Sequence, residues 1–138
     1  MPRREGGEDE PSPLSREIAA EAMQIACEAL NAPFIEMTAP GRKKAKVAFA
    51  RQLAMYLCHV VGQMALAEIS LVFGRDRTTA GYACHMIEDR RDAPLFDAQV
   101  EYLEVEMRER MHCVLARFDR AHLITEGSIR RARMRLAK

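Results

Sequence analysis

The sequence predicts an all-α protein, and three observations predict it. Good helix formers, chiefly Ala, Met, Leu, Arg and Glu, supply much of the chain, while aromatics make up only 6% and Trp is absent. Apolar residues recur at spacings of three and four, the period of a helix with one buried face. Glycine and proline are few, and they fall mostly in the first 13 residues or between the apolar periodic segments.

A chain of 138 residues, 49% hydrophobic, holds enough apolar material for one domain with small appended pieces. The formal net charge is +1, so overall charge selects no class of partner. Its distribution says more. Residues 40–90 hold eight Lys/Arg against four acids, a local excess of the kind a nucleic-acid surface needs. The four cysteines, Cys27, Cys58, Cys84 and Cys113, form no Cys-x-x-Cys pair and sit among apolar residues. They are expected to be buried free thiols in a reducing cytoplasm. No apolar signal segment and no run of membrane-spanning length is present.

Residues 1–13 carry little that can be buried and are expected to be disordered. A first helix is expected over 15–31, capped by Ser15, with Ile18, Ala22, Ile25 and Ala29 on one stripe. Asn31-Ala32-Pro33 stops it. Phe34 and Ile35 follow in an irregular stretch and are expected to tuck into the core.

A basic loop around Arg42, Lys43 and Lys44 leads into a second helix over 44–61. Its buried face is Val47, Ala50, Ala54, Leu57, Cys58 and Val61. Gly62 is expected to end that helix in the left-handed conformation. A short third helix is expected over 66–73, with Ala65, Ile69 and Phe73 along its buried edge.

Gly74 then suits a tight helix-to-helix turn. A fourth helix starts at or just after Asp76. It turns Ala80, Ala83, Cys84 and Ile87 inward and Arg77, Thr78, Tyr82, His85 and Asp89 outward. The fifth helix is expected over 95–118, on a stripe of Val100, Leu103, Met107, Met111, Val114 and Phe118. Glu101, Glu104, Glu106, Glu109, Arg108 and Arg110 are expected on its solvated face. Residues 120–138 form a basic helical tail with Arg130, Arg131, Arg133, Arg135 and Lys138. The expected division is therefore 1–13, 14–119 and 120–138.

No side-chain set suggests catalysis. There is no nucleophile–base pair, and no Gly-x-x-x-x-Gly-Lys-Ser/Thr loop to hold nucleotide phosphates. His59, His85, His112 and His122 stand alone, so no metal or other cofactor is expected and an enzyme is not.

The third and fourth helices, joined through Gly74, match a helix-turn-helix in length and turn chemistry. The letters add to this. Ala50-Arg51-Gln52-Leu53-Ala54-Met55-Tyr56-Leu57, Leu66-Ala67-Glu68-Ile69, Phe73-Gly74-Arg75-Asp76-Arg77-Thr78-Thr79 and Tyr82-Ala83 follow in that order. This series resembles the C-terminal DNA-binding domain of the bacterial replication initiator DnaA, over about residues 42–90 and more loosely to either side. The resemblance implies an all-α helix-turn-helix fold of the DnaA C-terminal or Trp-repressor-like type, with a C-terminal helical extension.

It also implies roles. Asp76, Arg77, Thr78 and Thr79 are expected to meet bases in the major groove, with Arg75 beside them. Tyr82 holds a further groove-facing position. Arg51 and Gln52 begin the segment that meets backbone and groove edge. Arg42, Lys43 and Lys44 match a minor-groove arm, and Leu66 and Ala67 would offer backbone amides to phosphate.

The departures are specific. One glycine replaces the usual two before Arg-Asp, and Arg77 replaces a His. Met86 replaces a groove-facing Lys, Ala67 a Pro, and Lys43 an Arg. Gly81 inside the fourth helix costs about 1 kcal/mol relative to Ala; close approach to DNA is one explanation and drift another. These changes point to a site other than the initiator's own box. With no ATPase motif, the chain is not expected to unwind an origin.

The expected function is sequence-specific binding of double-stranded DNA by a nucleoid-associated bacterial transcription regulator. Two alternatives stand beside it: a replication-control factor competing for initiator boxes, and a module docking on RNA polymerase or another regulator. Monomer and homodimer both remain open.

Overall fold

The computed structural model describes residues 10–31 and 45–136, with side chains through Ala121. The described residues form five helices and no strand: α1 (Pro13–Leu30), α2 (Ala45–Val60), α3 (Leu66–Phe73), α4 (Arg77–Arg90) and α5 (Pro94–Leu136). Phe34, Ile35 and the basic loop lie outside the described residues.

Helix α1 starts two residues ahead of its expected cap. Ser12 takes the cap instead, its Oγ accepting from the Ser15 amide at 3.1 Å, and Pro13 fills the first turn, where a missing N–H costs nothing. Ser15 is thereby released for a tertiary contact. It is buried, and its hydroxyl donates to Glu68 Oε1 at 2.5 Å, tying α1 to α3. Asn31 ends α1 in the left-handed region at φ 53°, with its amide bonded to the Cys27 carbonyl. Ile18, Ala22 and Ile25 are buried, but Ala29 is exposed. Ala19, Met23 and Ala26 join the core instead, because α1 is covered by both α2 and α5.

The expected apolar face of α2 is buried throughout. The exit from α2 differs from the expectation. Gln63, not Gly62, takes the positive φ, at 54°. Gly62 is needed for a different reason. A Cβ there would lie 2.5 Å from the Cys58 carbonyl oxygen and 2.9 Å from Ile18 Cγ2, so the glycine lets α1 and the end of α2 close together.

Helix α3 has its expected bounds. Ile69 and Phe73 are in the core and Ala65 is exposed. Ala80, Ala83, Cys84 and Ile87 of α4 are all buried. They place α4 chiefly on α2, and their small size permits the close contact.

Helix α5 runs past the expected end near Phe118, continuing to Leu136. It lies antiparallel to α1: Leu103 and Leu30 line one cleft, Arg110 bonds to Glu21 at 3.2 Å, and Arg117 approaches Glu17 at 3.9 Å. Val100, Met107 and Val114 are fully buried along this contact.

Two groups on α5 were misjudged as solvated. Glu104 is buried, where it receives a hydrogen bond from Arg91. Glu106 and Arg110 are half-buried, and Arg110 also donates to Glu106 at 2.8 Å. An ion pair can replace an apolar residue at an inward position when its partner is supplied by another element, and spacing alone does not reveal that partner. Cys27, Cys58 and Cys84 are buried free thiols, but Cys113 is exposed, on the outer side of α5.

Candidate nucleic-acid interface

The interface is built on the pair α3–α4. Gly74 ends α3 at φ 63°, and three residues, Gly74, Arg75 and Asp76, connect the helices. The amides of Gly74 and Arg75 both reach the Ser70 carbonyl, the latter at 3.0 Å. A tight, doubly bonded turn fixes the angle at which α4 leaves α3.

Asp76 is the N-cap of α4 by its backbone, in extended geometry, with its carbonyl accepting from the Ala80 amide at 3.2 Å. Its carboxylate makes no capping hydrogen bond. The cap position is thus held by an acid whose charge is left at the exposed rim. The first turn of α4 contains no acid, and Arg77, Thr78 and Thr79 are exposed there. A cation at a helix N-terminus opposes the macrodipole. Helix stability alone does not favour Arg77, whereas attraction of an anion does.

Further along α4, Tyr82 is 60% exposed, which places its ring outward rather than packed. His85 is also exposed, three residues beyond Tyr82 and seven beyond Thr78, on the same line as both. Its outward direction was legible from the helical period. Its place beside Tyr82 as a further surface contact was not, because a single histidine carries no base-specific signal.

Arg51 and Gln52 are half-buried, two turns into α2 rather than at its start. Burial, and secondarily the charge of Arg75, lower the pKa of Arg51 below its ordinary value. The fold therefore brings Arg51 of α2 near Arg75 of the turn. Two cations held close together form a site for an anion, since a phosphate between them relieves their repulsion. Leu66 and Ala67 are the first two residues of α3, and the cap residue before them, Ala65, has no side chain to satisfy the first amides. Those amides stand at a helix N-terminus of the kind that binds phosphate. Arg42, Lys43 and Lys44 lie outside the described residues.

Helices α3 and α4 are anchored at both ends. Glu68 receives the Ser15 hydroxyl at the α3 end. At the α4 end the Arg90 guanidinium lies 4.5 Å from the Phe49 ring centroid. Arg91 donates to Asp97 at 2.6 Å, to the Tyr56 hydroxyl at 2.9 Å and to Glu104. These three hydrogen bonds outweigh desolvation and raise the pKa of Arg91 above its ordinary value. Among the described residues no group of His, Cys, Asp and Glu could hold a metal ion, and no helix is long and apolar enough to cross a membrane.

An all-helical body that exposes the start of its second motif helix defines a helix-turn-helix protein. The family model described as "Bacterial dnaA protein helix-turn-helix" matches residues 19–87, half of the chain. The chain belongs to that family. It is 36% identical over 94 residues to the chromosomal replication initiator protein DnaA of Mycobacteroides abscessus, a match spanning 67% of this chain and 19% of that protein. Among solved structures, a crystal structure of a DNA replication initiation factor superposes with a TM-score of 0.63 at 25% identity, over 71% of this chain and 30% of that one. A replication initiator DnaA bound to AMPPCP and single-stranded DNA gives 0.62 at 24% identity, over 70% and 30%, a likeness in fold. The chain thus spans about a fifth of the length of the curated relative and about a third of the solved ones.

Proposed function

We propose that this protein binds double-stranded DNA sequence-specifically, through α4 in the major groove, as a bacterial transcription regulator acting in the cytoplasm on the nucleoid. The observation that carries this reading is the first turn of α4. Asp76, Arg77, Thr78 and Thr79 are exposed together there, and the Asp76 carboxylate is not used for capping.

The base chemistry follows from these groups. Asp76 accepts from a cytosine amino group, Arg77 forks onto a guanine, and the Thr methyls touch thymine. Arg51, Arg75 and the amides of Leu66 and Ala67 bind phosphate and set the register, with Gln52 at the groove edge and Tyr82 further along it. Arg42, Lys43 and Lys44 supply the minor-groove arm. Residues 14–119 form the binding body and 120–138 its basic extension. No residue in this scheme is asked to do covalent chemistry.

The match to an initiator supports a second outcome of the same binding. A protein occupying initiator boxes without opening the duplex would limit replication starts. Docking on RNA polymerase or a co-regulator has no such support.

Selection of bound fragments from a random duplex library tests the proposal. Enrichment of one short sequence is the expected result. A bound pool as random as the input contradicts it. If the enriched sequence is the initiator's own box, the replication-control reading takes the place of the regulator.

A further inference from the structure

We propose that the outer face of α5 pairs two copies of this chain in an antiparallel dimer. The inner face of α5 is accounted for by Val100, Met107 and Val114 against the body. The opposite face is not polar. Leu95 is 85% exposed, Tyr102 71% and Val105 50%, and Ala98 is exposed between them. Their spacing of 3, 4 and 3 is the repeat of a helix seam that faces another helix. Other exposed large apolar residues, Val60 and Leu71, stand singly on other helices.

Charge selects the occupant and its direction. Residues 94–109 hold five acids and one base, while residues 120–138 hold six bases and one acid. Of the five acids, Asp97 and Glu104 are bonded to Arg91 and Glu106 to Arg110, which leaves Glu101 and Glu109 exposed. A parallel pair would set like charges side by side. An antiparallel pair sets each acidic half against the basic half of its partner.

Space permits this arrangement. The Arg117–Glu17 pair lies near the start of α1, so α5 continues about five turns beyond that level. The continuing section of one copy can lie along Leu95, Tyr102 and Val105 of the other. The crossing point falls midway along α5, beside the exposed residues Cys113 and Ala116. Such a pair is two-fold symmetric and self-complementary. It would present two copies of α4 related by that axis, matched to two inverted half-sites. The inference does not rest on DNA binding, and its test uses no DNA.

Sedimentation equilibrium of the full chain at tens of micromolar should give twice the monomer mass. Tyr102→Glu combined with Val105→Glu should raise the dimer dissociation constant at least about tenfold, with the circular dichroism spectrum kept. Glu101→Arg with Glu109→Arg, two exposed substitutions that leave the apolar seam intact, should weaken the dimer in the same direction. Salt at 1 M, where screening acts within about 3 Å, should also weaken it. A short bis-maleimide should join two copies through Cys113 and fail with Cys113→Ser. A monomer under all these conditions, a dimer indifferent to both substitution pairs, or no Cys113-dependent cross-link overturns the proposal. A monomer that associates only on DNA overturns it too, and assigns the basic tail to the duplex.

Discussion

Gly81 of α4 faces Leu66 of α3 with room to spare: a Cβ on the glycine would meet Leu66 Cδ1 at 3.7 Å, an ordinary contact. Its φ lies outside the left-handed region. The body of the protein therefore gives no reason for a glycine in the middle of this helix. An incoming surface that must approach α4 closely does.

Gly81→Ala separates these demands. It should stabilise the fold by about 0.5–1 kcal/mol, since alanine restores helix propensity and fits beside Leu66. It should at the same time weaken DNA binding, because the added methyl stands where the backbone approaches the groove. Thermal melting and a mobility-shift titration of the same variant measure the two effects. Stabilisation with unchanged affinity would assign Gly81 to drift.

The Arg91–Glu104 pair joins α4 to α5, and Tyr56 and Asp97 complete it. Glu104→Ala leaves Arg91 short of a buried partner. A fully buried pair costs about 3–5 kcal/mol to break from one side. A fifth of the Arg91 side chain reaches water, so a loss of about 2–3 kcal/mol is expected after that discount. Denaturant unfolding checks it, with Glu101→Ala as an exposed control that should change stability by less than about 0.5 kcal/mol.

The thiols should divide by reactivity. Burial pushes the pKa of Cys84 up to about 11 and raises those of Cys58 and Cys27. Cys113 is exposed. A thiol reagent at neutral pH should label Cys113 promptly and the other three only after denaturation. The same shift sets an alkaline limit. Below about pH 8.5 the thiols are protonated in folded and unfolded chains alike. Above it the unfolded chain loses protons that the folded one retains. Stability should therefore fall as pH rises from about 8.5 toward 11, and melting across that range with Cys84→Ala as comparison reads the contribution of this thiol.

Arg51 is assigned to phosphate beside Arg75. Arg51→Met should weaken binding to all duplexes alike, and the slope of log affinity against log salt should fall by about 0.9. An unchanged slope with altered sequence choice would move Arg51 from the backbone to the bases.

Helix existence and the α3–α4 bounds were legible because each depends on local spacing and on one residue, Gly74. The inward set of α4 was legible for the same reason. What escaped came from contacts between elements. Ser15 has the letters of a cap, but Ser12 reaches the amide first and leaves Ser15 to bond Glu68. Glu104 reads as solvated because its partner, Arg91, belongs to another segment. Gly62 reads as a helix terminator, yet Ile18 of α1 is what forbids a side chain there. At the interface, the sequence pointed to Arg51 and Arg75 separately. Their proximity is a property of how α2 packs beneath the turn.

The central claim is that exposed residues at the start of α4 read base sequence. It is tested most directly by competition between a selected duplex and a scrambled one, for the wild type and for Arg77→Ala and Thr79→Ala. The wild type should prefer the selected duplex by about a thousandfold or more. Each variant should lose about 1–3 kcal/mol of that preference while its affinity for scrambled DNA changes less. Equal affinity of the wild type for both duplexes, or variants that keep the full preference, would contradict the account.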